Sequence, residues 1–236
     1  FAPPLSLLRF SLPMSHTIEL KSPVELGIVP THLKFVGCLV PDEQGRFPRN
    51  ADGEILVVAG VRELVEKSPV AFNCVQVSLF PGTKPEELDV LVAGLKDLGL
   101  DVDFVLMVGG VNPMNPDDED GVLDQLLPLL KSAVQHGARH VSSTSLEEWM
   151  SSEDAREGDD YQAAMEQIAK LHVRAYEEAG LEGSTVQSWN IEFLRPGEFK
   201  TFNTLQKGWE CIHKINEKLG KPFFKILVDA AHCADS

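Results

Sequence analysis

Apolar and polar positions along the chain follow two alternating rhythms: short runs with a period near two, and stretches with helical 3.6 spacing. Leu33–Val40 reads as a first buried strand. A polar loop with Pro41, Gly45, Pro48 and Gly53 follows, and Ile55, Val58, Ala59 and Val65 then give helical spacing over Glu54–Lys67. Phe72–Phe80 reads as a second strand. Thr83-Lys84-Pro85-Glu86 resembles a capping box, and the helix it opens carries Leu88, Leu91, Val92, Leu95 and Leu98 on one side before Gly99 ends it. Val102–Val108 is a third strand. An acidic loop including Asp117–Asp120 leads to a third helix marked by Leu123, Leu126, Leu127, Leu130 and Val134 and closed by Gly137. Arg139–Ser143 is a fourth strand, Ser145–Asp160 a charged loop containing Trp149, and Tyr161–Ala179 a fourth helix stopped by Gly180. Thr185–Leu194 is a fifth strand. Leu205, Trp209, Ile212 and Leu219 mark a fifth helix ended by Gly220, and Phe223–Val228 is a sixth strand.

Regular alternation of strand and helix implies a parallel sheet with right-handed crossovers. A doubly wound sheet would usually carry a glycine-rich phosphate fingerprint after its first strand; none is present, and Gly109-Gly110 lacks the pattern. The long connections follow strands and the tight, glycine-marked ones follow helices, which fits an α/β fold of the (β/α)8 TIM-barrel type. Such a barrel has eight strands and about 250 residues. Six strands can be read here, so the expectation is a barrel truncated after strand six. Residues 33–236 would form this incomplete TIM-barrel domain, and residues 1–32 an N-terminal extension, partly disordered. Phe1–Pro13 is apolar, contains prolines, is broken by Arg9 and lacks a basic leader. It reads as translated upstream sequence rather than a signal peptide, with Met14 the more natural start.

Composition narrows the picture. With 236 residues, 43% of them hydrophobic, the chain can bury a core as one globular domain. A net charge of -15 speaks against a nucleic-acid groove, although local Arg or Lys residues still permit an anionic small substrate. Cys38, Cys74, Cys211 and Cys233 form no zinc-like spacing and fit a reducing cytoplasm. No stretch is long and apolar enough to span a membrane.

The chemistry concentrates in Ser188-Trp189-Asn190-Ile191-Glu192 and the turn that follows. Alternation puts Trp189, Ile191 and Phe193 on one face and Ser188, Asn190 and Glu192 on the other. On the sixth strand Lys225, Leu227 and Asp229 share the inner face, so Glu192 and Asp229 would end adjacent strands about 4.8 Å apart. Two such carboxylates can share one divalent cation. His232 would stand in the loop above Asp229, and Glu198 on the same rim as Glu192.

Glu192, Glu198, Asp229 and His232 occupy a pattern that resembles the xylose-isomerase-like barrels, the family of ketose 3-epimerases and hydroxypyruvate isomerase. The resemblance extends over most of Leu33–Ser236, and its specific part is the two short motifs Glu192…Glu198 and Asp229-Ala230-Ala231-His232. It implies that Glu192 and Asp229 bind the metal, that Glu192 also acts as acid/base, and that Glu198 and His232 hold substrate oxygens. The family's usual Asn-Arg after the first Glu is replaced here by Leu194-Arg195-Pro196, and its remaining ligands, a His on strand seven and a Glu on strand eight, belong to strands absent from this chain. Arg195, together with Lys200, is a candidate for meeting a phosphate or carboxylate of the substrate. The implied cofactor is a divalent metal ion (Mn, Mg, Co or Zn), and the implied partners are a small-molecule carbohydrate and further copies of the chain in a homo-oligomer.

The function these readings lead to is a metal-dependent isomerase or epimerase of a sugar or sugar derivative, moving a proton α to a carbonyl through an enediolate. A non-catalytic ligand-binding barrel and an endonuclease-IV-like phosphodiesterase are the alternatives; the acidic charge weighs against the second. Of the other candidates, His172 lies on an apolar helical stripe and reads as a core histidine. Gly137 separates His136 from His140, so their spacing is accidental. His16, His32 and His213 read as surface residues, Cys233 as non-nucleophilic, and the acidic runs Asp117–Asp120 and Glu153–Asp160 as solvated loops.

Overall fold

A computed structural model describes residues 24–30 and 40–233. Six parallel strands, β1 (Gly27–Ile28), β2 (Cys74–Leu79), β3 (Asp101–Leu106), β4 (His140–Ser143), β5 (Ser188–Glu192) and β6 (Phe224–Leu227), pair in chain order without reversal. Between them run α1 (Leu56–Lys67), α2 (Pro85–Lys96), α3 (Glu119–Gln135), α4 (Gly158–Glu178) and α5 (Leu205–Leu219), and a short α6 (Ala230–Cys233) follows β6. Right-handed crossovers in one monotonic order keep every helix on the same face, which makes a barrel wall and excludes a doubly wound sheet.

The alternation read from the sequence sets the two faces. On β2, Val75, Val77 and Leu79 are buried toward the helices while Gln76 points inward; on β5, Trp189 and Ile191 are buried and Glu192 points inward. In register, Gln76 pairs with Asp103, Ser142 with Asn190, and Glu192 with Leu227. The barrel interior on this side is therefore lined with polar groups, and the apolar core lies between sheet and helices.

Several expectations are corrected. The first described strand is Gly27–Ile28, so the sheet reaches upstream of the expected boundary at residue 33. The expected strand Leu33–Val40 falls, except for Val40, outside the described residues, as do His16, His32, Cys38 and Phe1–Pro13. Thr83 does not cap α2. Lys84 holds the cap position without a side-chain bond, and the Thr83 hydroxyl instead donates to the Phe80 carbonyl, closing the preceding turn. Leu205 and Trp209 do not lie on the buried stripe of α5, which runs through Gly208, Cys211, Ile212 and Ile215. At Gly208 a Cβ would come within 2.9 Å of Ile226 and 3.1 Å of Phe193, so this glycine lets α5 sit directly on the strands that carry the site. The acidic runs are only partly loop. Residues 119 and 120 form the first turn of α3 and residues 159 and 160 the first turn of α4, where acids complement the helix dipole. Glu119 is buried between α3 and α4. Burial opposes its ionisation, but hydrogen bonds from Lys170, Gln167 and Arg174 outweigh it and hold the carboxyl down at about 2.

Between β4, β5 and α4 runs a closed hydrogen-bond relay. Trp189 Nε1 donates to Ser143 Oγ (2.8 Å), whose hydroxyl faces Ser145 Oγ (2.6 Å), which in turn faces His172 Nε2 (2.8 Å). His172 Nδ1 lies 2.8 Å from the Ile168 carbonyl, which can only accept, so the proton sits on Nδ1 and Nε2 accepts from Ser145. His172 is the core histidine the sequence predicts. Burial, opposed by the Ile168 bond, pushes its imidazole down to about 4. The native ring thus stays neutral while the unfolded one takes up a proton near 6.5. Stability is full above that pH and falls by up to about 3 kcal/mol as pH drops toward 4. An NMR titration of the His172 ring with its midpoint near the ordinary histidine value would refute this.

Candidate metal centre

Glu192 closes β5, and its register partner Leu227 closes β6, so Asp229 stands two residues farther along the same inner face. Asp229 then turns the chain. Its Oδ1 accepts the Ala231 N–H at 2.8 Å and its carbonyl accepts the His232 N–H at 3.0 Å, so the short helix α6 swings His232 back over the mouth of the barrel. His232 Nδ1 lies 3.0 Å from Glu192 Oε1, and Nε2 lies 3.7 Å from Glu198 Oε2 and 3.9 Å from Asp229 Oδ2. One ligand atom from each of Glu192, Asp229 and His232 falls within 4.8 Å of the others, the one such group among the described residues.

The donor set fits a divalent cation on a second count. The buried Nδ1 of His232 has no hydrogen-bond partner, because its approach to Glu192 is close but out of line. A buried nitrogen standing out of hydrogen-bond line beside carboxylate oxygens fits the donor set of a divalent cation. Electrostatics agree. Burial comes first, and the charges of Asp229 and Glu198 add to it, pushing the Glu192 carboxyl up to about 7 against the opposing pull of His232. Three acids around one imidazole form a site short of positive charge.

Glu198 reaches the cluster from the turn after β5. Gly197, at φ +99°, supplies a backbone conformation that side-chain-bearing residues rarely adopt, and the Glu198 and Phe199 N–H groups both donate to the Arg195 carbonyl. Phe199 and Phe202, both fully buried, anchor the far side of the turn. Arg195 is half exposed and its Nε lies 3.1 Å from Glu198 Oε2, so it stands at the rim beside the cluster. For Lys200 the described contact is its backbone N–H, held by Glu147.

Beneath the acids lies a cavity of about 400 Å³ lined by Gln76, Val105, Ser142, Glu192, Leu227 and Asp229, among others. A groove of similar size, about 410 Å³, runs between α2 and α3 and, among the described residues, holds no group of metal-ligating side chains. Gln76 and Ser142, hydrogen-bonded to each other, were not singled out from the sequence, although their inward places on alternating strands mark them. Glu147 was missed inside a charged loop. His136 and His140 do not converge: the first contacts Asp89 and the Ser132 carbonyl, the second Ser188. His213 is a surface residue paired with Glu217, Cys233 packs against the core, and Trp149 is exposed and does not line the cavity. No described helix is long and apolar enough to cross a membrane.

No family model matches the chain, and no curated protein matches it. Among solved structures it is similar to D-psicose 3-epimerase from Clostridium cellulolyticum H10, with a TM-score of 0.61 and 16% identity over 89% of this chain and 64% of that one. It is likewise similar to an L-ribulose 3-epimerase, with a TM-score of 0.61 and 18% identity over 88% and 61% of the two chains. A xylose isomerase domain protein from Planctomyces limnophilus matches with a TM-score of 0.52 and 14% identity, over 88% and 62%. At these identities the likeness is one of fold, and it is the barrel to which the two short motifs point. The chain spans 64% and 61% of the lengths of the two epimerases.

Proposed function

Taking that barrel fold as premise, we propose that the protein is a metal-dependent isomerase or epimerase of a sugar or sugar derivative, working by proton transfer α to a carbonyl. The observation that carries this reading is the convergence of Glu192, Asp229 and His232 within 4.8 Å at the barrel mouth. Glu192 and Asp229 would hold the ion, with His232 close enough to join them. When bound, a divalent cation supplies positive charge to the substrate oxygens as electron density moves onto them.

The chain's own residues do the rest. A carboxylate whose proton affinity lies near neutrality is matched to general-base work, and Glu192 is the group with that character. It takes the proton from the carbon α to the carbonyl. In an aldose–ketose isomerisation the same carboxyl returns it to the neighbouring carbon while the α-hydroxyl proton passes to the former carbonyl oxygen, and the two transfers together balance the step. A 3-epimerisation needs a second base on the opposite face of the substrate, the place the family resemblance gives to a Glu on strand eight. Glu198 and His232, 3.7 Å apart, would hold adjacent substrate hydroxyls, and Arg195 on the rim would meet an anionic group on the substrate if one is present. The polar floor of Gln76 and Ser142 suits a hydroxylated ligand better than an apolar one.

The test is solvent-deuterium incorporation into a panel of ketoses and ketose phosphates, with Mn²⁺ added and with chelator. Metal-dependent exchange at a carbon next to the carbonyl is the expected result. Retention of bound metal with no exchange into any ketose would favour a ligand-binding barrel instead.

A further inference from the structure

Glu147 lies in the connection between β4 and α4, outside the metal cluster, and is buried to 4% exposure. Its carboxylate accepts three consecutive main-chain N–H groups from the turn after β5: Lys200 at 2.9 Å on Oε1, then Thr201 at 2.8 Å and Phe202 at 3.1 Å on Oε2. Among the described residues no Lys, Arg or His forms an ion pair with it. A buried charge balanced only by amides is costly unless those amides are held in one fixed arrangement.

Three residues on, the same connection grips the turn again. Met150 N–H donates to the carbonyl of Glu198 at 2.9 Å, and Met150 adopts φ +55°, a left-handed conformation that a side-chain-bearing residue pays strain to hold. Arg156 N–H donates to Thr201 Oγ1 at 3.0 Å, while its guanidinium reaches the Met114 carbonyl at 3.1 Å. Glu198 is thus held at its own carbonyl by Met150 and a few residues downstream by Glu147. Its carboxylate accepts a hydrogen bond from Arg195 Nε at 3.1 Å and faces His232 at 3.7 Å.

We propose that Glu147 is a positioning residue that sets where the Glu198 carboxylate stands over His232, and through it how substrate is held. The proposal rests on reading the Glu192–Asp229–His232 cluster as a metal-and-sugar site. Its contact with the chemistry is indirect: Glu147 touches the backbone of the turn, and the turn presents Glu198.

The experiment compares the wild-type protein with Glu147→Gln, Glu147→Asp, Glu198→Gln and the double variant Glu147→Gln/Glu198→Gln. Glu147→Asp keeps the charge but withdraws it by one methylene, and so remains informative if the amide variant folds poorly. Two readouts are taken. On any ketose the wild type turns over, kcat/KM should fall by at least about tenfold in Glu147→Gln, mostly through KM, and the double variant should be no worse than Glu198→Gln alone. Mn²⁺ affinity should stay within about threefold of wild type, since Glu147 bonds only the backbone of residues 200–202 and touches neither Glu192 nor Asp229. Additive losses in the double variant, or wild-type KM in Glu147→Gln, overturn the proposal.

The second readout needs no turnover. In ¹⁵N-histidine-labelled protein at one alkaline pH, the His232 ring signals should move in the same direction in Glu147→Gln and Glu198→Gln. Signals that follow Glu198 but not Glu147 overturn the proposal, as do signals that follow neither. A wild type that exchanges no ketose proton would remove the isomerase reading and still leave this second measurement decisive for Glu147.

Discussion

Glu192→Gln is expected to abolish metal-dependent proton exchange, lowering it by at least about a thousandfold, because the amide can neither take the proton nor offer a charged oxygen to the ion. The fold should survive. Burial and the adjacent acids Asp229 and Glu198 hold the Glu192 carboxyl up at about 7, so its ionised form strains the native state at and above that pH. A group whose native proton affinity is raised favours folding when protonated, and that contribution is lost as pH rises from its ordinary value through 7. The neutral amide escapes this loss. At alkaline pH the variant should therefore melt at the same temperature as wild type or higher, the usual signature of a functional group held against stability. Exchange within tenfold of wild type in metal-loaded protein would overturn the role of Glu192 as base, and a clear loss of melting temperature would overturn its cost to stability.

Trp189→Ala is expected to carry the largest stability cost, about 3–5 kcal/mol, read from urea unfolding at neutral pH. Trp189 is fully buried, and its ring packs at a tilt against His172 (5.2 Å between centroids) and Phe224 (5.4 Å). Truncation opens a cavity and also leaves Ser143 Oγ without its donor, so the polar relay to His172 loses its first link. Trp189→Phe fills most of the volume but still breaks that link, and should cost about 1–2 kcal/mol. A loss under about 1 kcal/mol for the alanine variant would mean that the neighbouring aromatics collapse into the space.

From the second strand onward, the element order, the parallel sheet and the inward aim of Glu192 were legible in the sequence because each depends on a local period. Alternation along five or six residues decides which side chains share a face, and glycines such as Gly220 mark where helices stop. The motif Asp229-Ala230-Ala231-His232 was legible through its resemblance to the xylose-isomerase-like barrels, whereas the expected loop around His232 is the short helix α6.

What was not legible depends on contacts across long stretches of chain. Glu147 looks like any acid in a charged loop until residues 200–202 are brought to it. Trp209 shares the apolar character of a buried stripe, yet the face of α5 is chosen by the close approach at Gly208, a residue whose small size carries no hydrophobic signal. The first described strand has only two residues, too short to show a period. Glu119 was hidden differently: its acidity places it in a loop by composition, while its cationic partners Lys170 and Arg174 come from the next helix.

The Asp229 carboxylate divides its labour oxygen by oxygen. One oxygen is already committed to the backbone of α6, which fixes the side-chain rotamer, and the other is left toward the imidazole and the neighbouring acids. In the proposed metal site, an arriving ion would therefore meet a ligand that has surrendered its rotational freedom during folding, and less entropy would remain to be lost on binding. The same division makes the position intolerant in two separate ways: asparagine can keep the backbone link but not the charge, and glutamate can keep the charge but not the link.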